Sequence, residues 1–531
     1  MGLKDVVQRV PTQALWGGLL ALWFLYLICL AVYRLNLSPL AKFPGPKLAG
    51  LTKWYEFYYE VVKRGQYQFL INDMHKKYES GVMAFRTADR HSKCPIVRVT
   101  PFELHVDEST FWDELYNKHP KSRKYDWMNG RFGNETSIFT TCDPTLHRLR
   151  RAPLNPMFSR RSIMAQEPTV QEKSNYLCDR LVEYMEKDKF INVARMWSSF
   201  AGDVITRYSF GFDDNHLGSE DFKACFHDAF LALSEFGHLS LQYPSLGTLM
   251  AALPDSISGA MDRELAKLLK LQRDFRTTIR RIKSDMSDPK KQPEHPTVFH
   301  EILRADLPPS EKSEVHLGHE AQTVIGAGLS TTAWAFTNAT FYVLHKPEVL
   351  AKLREELWAA IPDINAADAF SYPKLEQLPY LKGVYREGIR LSHGVSARNP
   401  RLIPYPIEFN EWTIPAHTPV SMTIMNVTFD PEIFPEPNEF RPERWMNNPR
   451  APDGQSLEQY WVNFGKGTRM CLGINLAYME LTLGLAHLFR RFKLELYETD
   501  KSDVILAHDF MLPAPKSDSK GVRVKVVGVE K

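Results

Sequence analysis

One cysteine set among glycines is the most chemically specific feature of this sequence. In the run Phe464-Gly465-Lys466-Gly467-Thr468-Arg469-Met470-Cys471-Leu472-Gly473, Cys471 is placed to serve as a single thiolate ligand to a metal. A cysteine that stays unprotonated needs N–H donors and positive charge nearby, because both stabilise S⁻. Gly465, Gly467 and Gly473 carry no Cβ, so the backbone can turn sharply, approach a flat ligand and aim amide N–H groups at the sulfur. Arg469 lies two residues earlier, where strand-like alternation points it to the same side, towards an anionic group of the ligand. Leu472, Leu476, Met479, Leu483 and Leu485, with Ala477 and Ala486, continue as an apolar helix whose positive dipole end lies at Cys471. A lone cysteine in such a turn is more often a buried structural residue. Phe464, Gly465, Arg469, Cys471 and Gly473 at these spacings ask for more, and read as a haem pocket.

A second stretch, Glu314 to Leu344, has the pattern of a long apolar helix carrying Gly326-Ala327-Gly328-Leu329-Ser330-Thr331-Thr332. Ala327 and Gly328 would leave a groove. The Thr331 hydroxyl can reach the carbonyl four residues back, at Ala327, and open the helix ladder there. A tightly packed helix crossing explains the small residues equally well until Cys471 is taken into account. Two further constellations are weaker taken alone. His147 and Arg151 stand one turn apart on one helix face, as on any solvated basic helix. Glu387-Gly388-Ile389-Arg390 places opposite charges three apart, with Arg444 further on in Pro442-Glu443-Arg444-Trp445; an ordinary surface pair of this kind contributes under ~1 kcal/mol.

Taken together these motifs resemble the cytochrome P-450 family. The cysteine run matches that family's haem-binding loop, Phe-x-x-Gly-x-Arg-x-Cys-x-Gly, at every defined position. Ala327 to Thr332 resembles its oxygen-activation motif, Ala/Gly-Gly-x-Asp/Glu-Thr-Thr, in which the threonine and an ordered water supply protons. Ser330 stands where an acid is usual, which leaves Thr331 as the better-supported proton donor of the two. Glu387, Arg390 and Arg444 resemble the Glu-Arg-Arg network that locks the cysteine loop. The resemblance further implies that His147 and Arg151 hold a haem propionate, that Arg401, with Arg398 as rival, holds one too, and that Arg148 and Arg150 belong to a positive face meeting an acidic electron donor. The likeness spans roughly Phe43 to Val527.

The elements that must position these residues follow from the remaining sequence. Hydrophobic content is 44% and net charge +3 over 531 residues, enough for a sizeable core and no sign of a nucleic-acid partner. Six scattered cysteines with no Cys-x-x-Cys point to a reducing compartment, so the sequons at Asn36, Asn134, Asn338 and Asn426 read as chance matches. Ala14 to Tyr33 is twenty residues without a charge, long enough to cross a bilayer core of ~30 Å, with Trp16, Tyr26 and Tyr33 at or near the interfaces. Arg34, Lys42, Lys47 and Lys53 outnumber Lys4 and Arg9 across it, which puts the body in the cytosol. Pro39, Pro44, Gly45 and Pro46 form a stiff hinge. The expected domains are an anchor over 1–36, a hinge over 37–50 and a haem-thiolate body over 51–531. Pro95 to Pro101 reads as a short strand and Val395 to Pro400 as another lining the pocket. Gln166 to Met286 reads as mostly helical with a helix-poor break at Gly237 to Pro254, Ser284 to Pro296 as an exposed loop, and Asp430 to Pro442 as the family's meander.

The fold class expected from the resemblance is mainly α with a minor β domain, the cytochrome P-450 fold, behind one N-terminal transmembrane helix. The implied activity is an oxygen-dependent monooxygenase containing haem b. It would receive electrons from NADPH through a cytochrome reductase and hydroxylate or epoxidise an apolar small molecule at the endoplasmic reticulum membrane. Arg390-Leu391-Ser392-His393-Gly394-Val395-Ser396 and neighbouring phrases resemble fungal biosynthetic members such as trichodiene oxygenase, and so a terpenoid or related secondary metabolite. Tyr125 to Thr141, Phe236 to Pro254 and Val395 to Pro400 are the regions that would decide the substrate. Rearrangement or peroxide chemistry on the same haem, to which Ser330 lends some support, and a non-enzymatic haem sensor or carrier are the alternatives.

Overall fold

The structure is a computed structural model describing residues 12–78, 94–223, 226–243, 263–286, 288, 295 and 297–530. Its first element, helix α1 (Thr12–Val32), continues as one π-helical turn, Tyr33–Leu37. The segment Leu15–Leu37 is long and apolar enough to cross a bilayer, and the rest of the chain buries none of its most apolar window. Trp16, Tyr26 and Tyr33 are all exposed.

The proline-rich segment expected as a hinge is fastened to the body. Leu40 and Phe43 are buried, and Phe43 stacks on Trp412 with ring centroids 4.9 Å apart. Pro44 O accepts from Arg98 N at 2.7 Å, and Arg98 Nη1 donates to Arg34 O at 2.7 Å. The core therefore begins ahead of residue 51. Hydrogen-bonded turns, Ala41 N to Ser38 O at 2.8 Å and Phe43 N to Leu40 O at 3.2 Å, carry the chain into this contact, and the prolines at 39, 44 and 46 stop α1 from continuing through it.

A five-stranded sheet runs in the order β1 (Ile96–Arg98), β2 (Leu104–Val106), β8 (Pro419–Ser421), β5 (Arg401–Leu402), β3 (Arg123–Lys124), antiparallel except for the β2–β8 pair. A second sheet joins β4 (Phe190–Asn192), β12 (Arg523–Val529) and β9 (Phe492–Leu496), and two hairpins join β6 (Ile407–Phe409) to β7 (Trp412–Ile414) and β10 (His508–Phe510) to β11 (Leu512–Ala514). β1 realises the strand expected between Pro95 and Pro101. Val395 to Pro400 is not a strand: the ladder starts only at Arg401. Pro400 has no N–H to give it, Ser396 N is bonded to Met511 O at 3.0 Å, and the Arg398 side chain is drawn to buried carboxylates.

The helices around the site are α2 (Pro144–Arg151), α3 (Glu167–Glu186), α4 (Val193–Phe210), α5 (His227–Gln242), α6 (Arg263–Asp285), α7 (Glu314–His345), α8 (Pro347–Ala360), α9 (Pro379–Leu391) and α10 (Ile474–Arg491). α7 runs through their centre. The Ser313 hydroxyl caps it, accepting from His316 N at 3.2 Å. Against α4 it stacks Phe336 on Trp197, centroids 3.8 Å apart, and against α9 it approaches so closely that a Cβ on Gly388 would lie 2.8 Å from Ala339 Cβ.

One expectation about the helices is overturned. α5 runs straight through Gly237 to Gln242, where a helix-poor break was expected. A Cβ at Gly237 would sit 2.6 Å from Arg131 Cγ, so this glycine answers to a close approach and its helix propensity is overridden by packing. Residues 244–262 lie outside the described residues, as do 287, 289–294 and 296 of the expected loop; Ser284 and Asp285 complete α6.

Candidate active site

The cysteine loop is closed by its own backbone. Cys471 N donates to Phe464 O at 2.8 Å, Gly465 N to Val462 O at 2.8 Å and Met470 N to Gly467 O at 3.1 Å. Gly465 and Gly467 hold φ of 67° and 69°, values that glycine adopts without strain. A Cβ on Gly467 would strike Tyr116 O at 2.4 Å, whereas one on Gly465 or Gly473 would meet no protein atom within 4 Å. The protein itself therefore does not demand glycine at Gly473, and the space beside it would admit a flat ligand. Phe464 is wedged edge-on between Trp461 and Tyr478, at 5.7 and 5.4 Å.

Cys471 lies deep in the molecule, yet its side chain is exposed to internal space. Burial raises the thiol pKa, against the Gly473 N–H and the nearby Arg151 charge, which lower it. The donors and charge that the sequence suggested are thus present, and a bound metal cation would draw off the proton.

Around the loop stands a group of basic side chains whose hydrogen bonds go to neutral oxygens. Arg469 Nη1 and Nη2 donate to Thr141 O and Cys142 O at 2.7 and 2.9 Å. Arg401 Nη1 donates to Asn399 Oδ1 at 2.7 Å, Arg151 Nε to Asn155 Oδ1 at 2.9 Å and Lys124 Nζ to Phe139 O at 2.5 Å. Burial, then the Arg401 charge, pushes Arg469 down to about 10. His147 falls to about 3 through burial and then the charges of Arg469, Arg151, Lys124 and Arg401. Lys124 is pushed well down by burial, then Arg401 and Arg469. Like charges so placed repel one another, and a ligand carrying two carboxylates is the partner that would balance them. Iron protoporphyrin, flat and doubly acidic, fits both this donor set and the open face at Gly473.

The structure separates the two arginines that sequence left as rivals. Arg398 is committed to carboxylates: its Nε donates to Glu103 Oε1 at 2.9 Å and its Nη2 to Glu56. Arg401 stands instead among the cations. Arg150, expected on a surface face with Arg148, is also corrected: it pairs with Glu311 through Nε at 2.6 Å and Nη2 at 3.1 Å, while Arg148 alone is exposed.

On α7 the Thr331 hydroxyl donates to Ala327 O at 2.9 Å, as its spacing suggested, though the helix stays α-helical throughout. Ala327 is exposed in a helix whose neighbouring Gly326 and Leu329 are buried, so this face is open. Gly328 is turned away from it: a Cβ there would meet Ile205 Cγ1 of α4 at 3.0 Å. Its small size serves a helix crossing rather than the groove. Ser330 Oγ is enclosed and has no hydrogen-bond partner.

Glu387 gathers five donors. Arg390 Nε and Nη2 lie at 2.9 and 2.8 Å, Arg444 Nε at 2.8 Å, Trp445 Nε1 at 2.9 Å and Arg441 N at 3.1 Å. Burial would raise this carboxyl, but Arg390 and Arg444 outweigh it and hold Glu387 below its usual range. Arg390 Nη1 also ties Thr428 O and Pro437 O, at 3.0 and 2.7 Å, and Arg444 Nη1 ties Pro435 O at 3.0 Å. The lock reaches the cysteine loop through Trp445, Trp461 and Phe464, whose successive centroids are 5.3 and 5.7 Å apart.

Lys124, Trp445 and Arg441 were not singled out from the sequence. Lys124 joins the cations because β3 pairs with β5 in a register that sets it opposite Arg401. Strand register across 277 positions leaves no local trace, while Trp445, next to Arg444, was within reach of inspection.

A family model described as Cytochrome P450 matches residues 97–520. Cytochrome P450 monooxygenase sdnE of Sordaria araneosa is 49% identical over 525 residues, covering 96% of this chain and 98% of the relative. Tryptophan 6-hydroxylase fscE of Fusarium equiseti is 41% identical, covering 96% of each. N-acetyltryptophan 6-hydroxylase ivoC of Emericella nidulans is 38% identical, covering 98% of each. Similarity along the whole length at these identities carries the assignment that the geometry suggested: the chain belongs to the cytochrome P450 family, as a monooxygenase that contains haem b and takes electrons from NADPH through a reductase.

Proposed function

We propose that the chain hydroxylates or epoxidises an apolar ring system in fungal secondary metabolism, with Cys471 as the iron ligand. The observation that supports this best is the pairing of the Cys471 thiol with a group of basic side chains that have no carboxylate partner among the described residues. Terpenoid skeletons are the leading substrate class on sequence resemblance. The names of two relatives, hydroxylases of tryptophan and of N-acetyltryptophan, add an indole ring as a second.

The bound haem supplies oxygen activation and the two-electron oxidation of the substrate. Arg469, Arg401, Lys124, His147 and Arg151 would hold its carboxylates. Gly473 and Gly465 leave room for close approach, and Phe464, wedged by Trp461 and Tyr478, keeps the loop from sagging. Ala327 leaves the substrate side of α7 open. Thr331 keeps its hydroxyl proton on Ala327 O until it turns; the freed Oγ1 can then pass that proton into the pocket and take another from a water. Ser330 can relay a proton but offers no low-pKa carboxyl. Glu387, Arg390 and Arg444 have no chemical part and keep the loop in place. In the cell, α1 would anchor the body to the cytosolic face of the endoplasmic reticulum in a single pass, with a NADPH-cytochrome reductase as the electron donor.

The test is the Soret band of the reduced protein under carbon monoxide, in wild type and Cys471→Ser. A strongly red-shifted band in wild type that the variant lacks is the expected result. A folded wild-type protein without such a band would refute the role of Cys471.

A further inference from the structure

The three stretches that would decide the substrate come together, in their described parts, at one buried side chain. Arg131 ends a 3₁₀ turn, Asp126–Arg131, and is 3% exposed. The loop after it is held on α7: Gln322 Nε2 donates to Phe132 O at 2.8 Å, and Asn134 Nδ2 to Thr323 Oγ1 at 2.8 Å. Thr323 is one helical turn before Ala327, so the loop that follows Arg131 is seated at the head of the open face of α7. α5 closes over it through Gly237. From the third stretch, Ser396 Oγ donates to Asp509 Oδ1 at 2.6 Å, and Asp509 acts through space on Arg131.

Among the described residues none accepts from Arg131 Nε or Nη1, and both atoms are enclosed. Asp509 and Glu60 act on it through space, while the nearby arginines have carboxylates in contact. Arg398 is held by Glu103 and Glu56, and Arg64 by Glu235. Asp509 Oδ1 already accepts from Ser396 and from Met511 N, at 2.6 and 2.8 Å. Glu60, pushed well above its usual range by burial and then by Asp509, lies 3.8 Å from Arg398 Nη1 and acts on Arg131 through space. His238, with Nε2 2.6 Å from Asp509 O and Nδ1 3.4 Å from Glu60 Oε2, is lowered by burial and adds no charge. A buried cation left in this condition is costly unless something pairs with it, and a carboxylate is the group that a guanidinium binds best.

We propose that Arg131 receives a carboxylate of the substrate, so that an apolar acid lies along α7 with its acid end beneath α5 and its ring system towards Ala327 and Thr331. This rests on the reading that the substrate is oxidised in the pocket bounded by Cys471 and α7. It deepens that reading by giving the apolar substrate one anionic end.

The haem-loaded protein is titrated with three acid and amide pairs: N-acetyltryptophan, dehydroabietic acid and lauric acid, each against its primary amide. Binding is read from the Soret shift and, independently, from the ligand-induced shift of the thermal midpoint. In wild type at least one acid should bind about tenfold or more tightly than its amide. Arg131→Gln should bring that ratio near one by weakening the acid and leaving the amide unchanged. If Arg131→Gln does not fold, Arg131→Lys, which keeps the charge but not the planar fork, is read in its place, and a ratio cut about threefold or more supports the proposal. Acids and amides that bind alike throughout the wild-type panel overturn it, and so does a preference that survives substitution. Failure of the underlying reading would show differently, as a wild-type protein without the thiolate carbon monoxide band.

Discussion

Lys124 and Arg401 face each other across β3 and β5, and the repulsion between them falls on groups that are already buried. Two like charges directly opposite on neighbouring strands destabilise a sheet, so the pair makes sense only with an acid between or beside it. Lys124→Met removes one of the two. With haem propionates as the missing acids, this variant should release haem several-fold faster, measured by transfer to apomyoglobin, while the haem-free protein gains thermal stability because the repulsion is gone. Unchanged haem release would remove Lys124 from the propionate site. The same logic explains Arg401 and Arg398. They are alike in the sequence, and only their surroundings, cations for one and Glu103 and Glu56 for the other, give them different work.

At the scale of elements, the site depends on how closely α9 lies on α7. Gly388 permits the crossing: a Cβ there would be 2.8 Å from Ala339 Cβ and 3.1 Å from Ala335 O, and the carbonyl belongs to backbone that cannot yield cheaply. Gly388→Ala should destabilise the body by about 1–3 kcal/mol. Because Glu387 and Arg390 flank the position, the displaced helix should also loosen the meander carbonyls that Arg390 holds. The expected readout is a lower denaturation midpoint together with a loss of the red-shifted carbon monoxide band in favour of a less shifted one. A lower midpoint with the band intact would mean that the lock tolerates movement of α9. The Glu-Gly-Ile-Arg phrase was visible in the sequence as a charge pair, but the need for its glycine became visible only with α7 beside it.

For the whole molecule, the boundary between anchor and body is the feature that the structure moves. Sequence placed a free hinge over 37–50, whereas Leu40 and Phe43 belong to the packed core beside β7 and β8. Removing residues 1–36 should therefore leave a body that folds and keeps its carbon monoxide band. Removing 1–50 takes three buried apolar side chains, Leu40, Phe43 and Ala49, and the Pro44 carbonyl that β1 uses, a loss of several kcal/mol by the usual cost of emptying core positions, and should sharply lower the yield of folded haem protein. Equal yields from the two truncations would restore the hinge as a mere linker.

What depends on near neighbours along the chain was legible in the residues alone. The glycine-framed cysteine, the bond from Thr331 to Ala327, the Glu387 and Arg390 pair and the long apolar run before Arg34 all follow from helix periodicity, turn chemistry or bilayer thickness, which act over a few residues. Asn134 and Asn338 are buried, in keeping with their sequons as chance matches. What depends on distant partners became visible only in the folded chain: Lys124 beside Arg401, Arg150 on Glu311, a helix carried through Gly237 because Arg131 lies beneath it, and Arg131 Nε and Nη1 enclosed with no acceptor among the described residues. Register and close approach between segments far apart in sequence are set by the packing of the entire core, and that information is not held in any one stretch of residues.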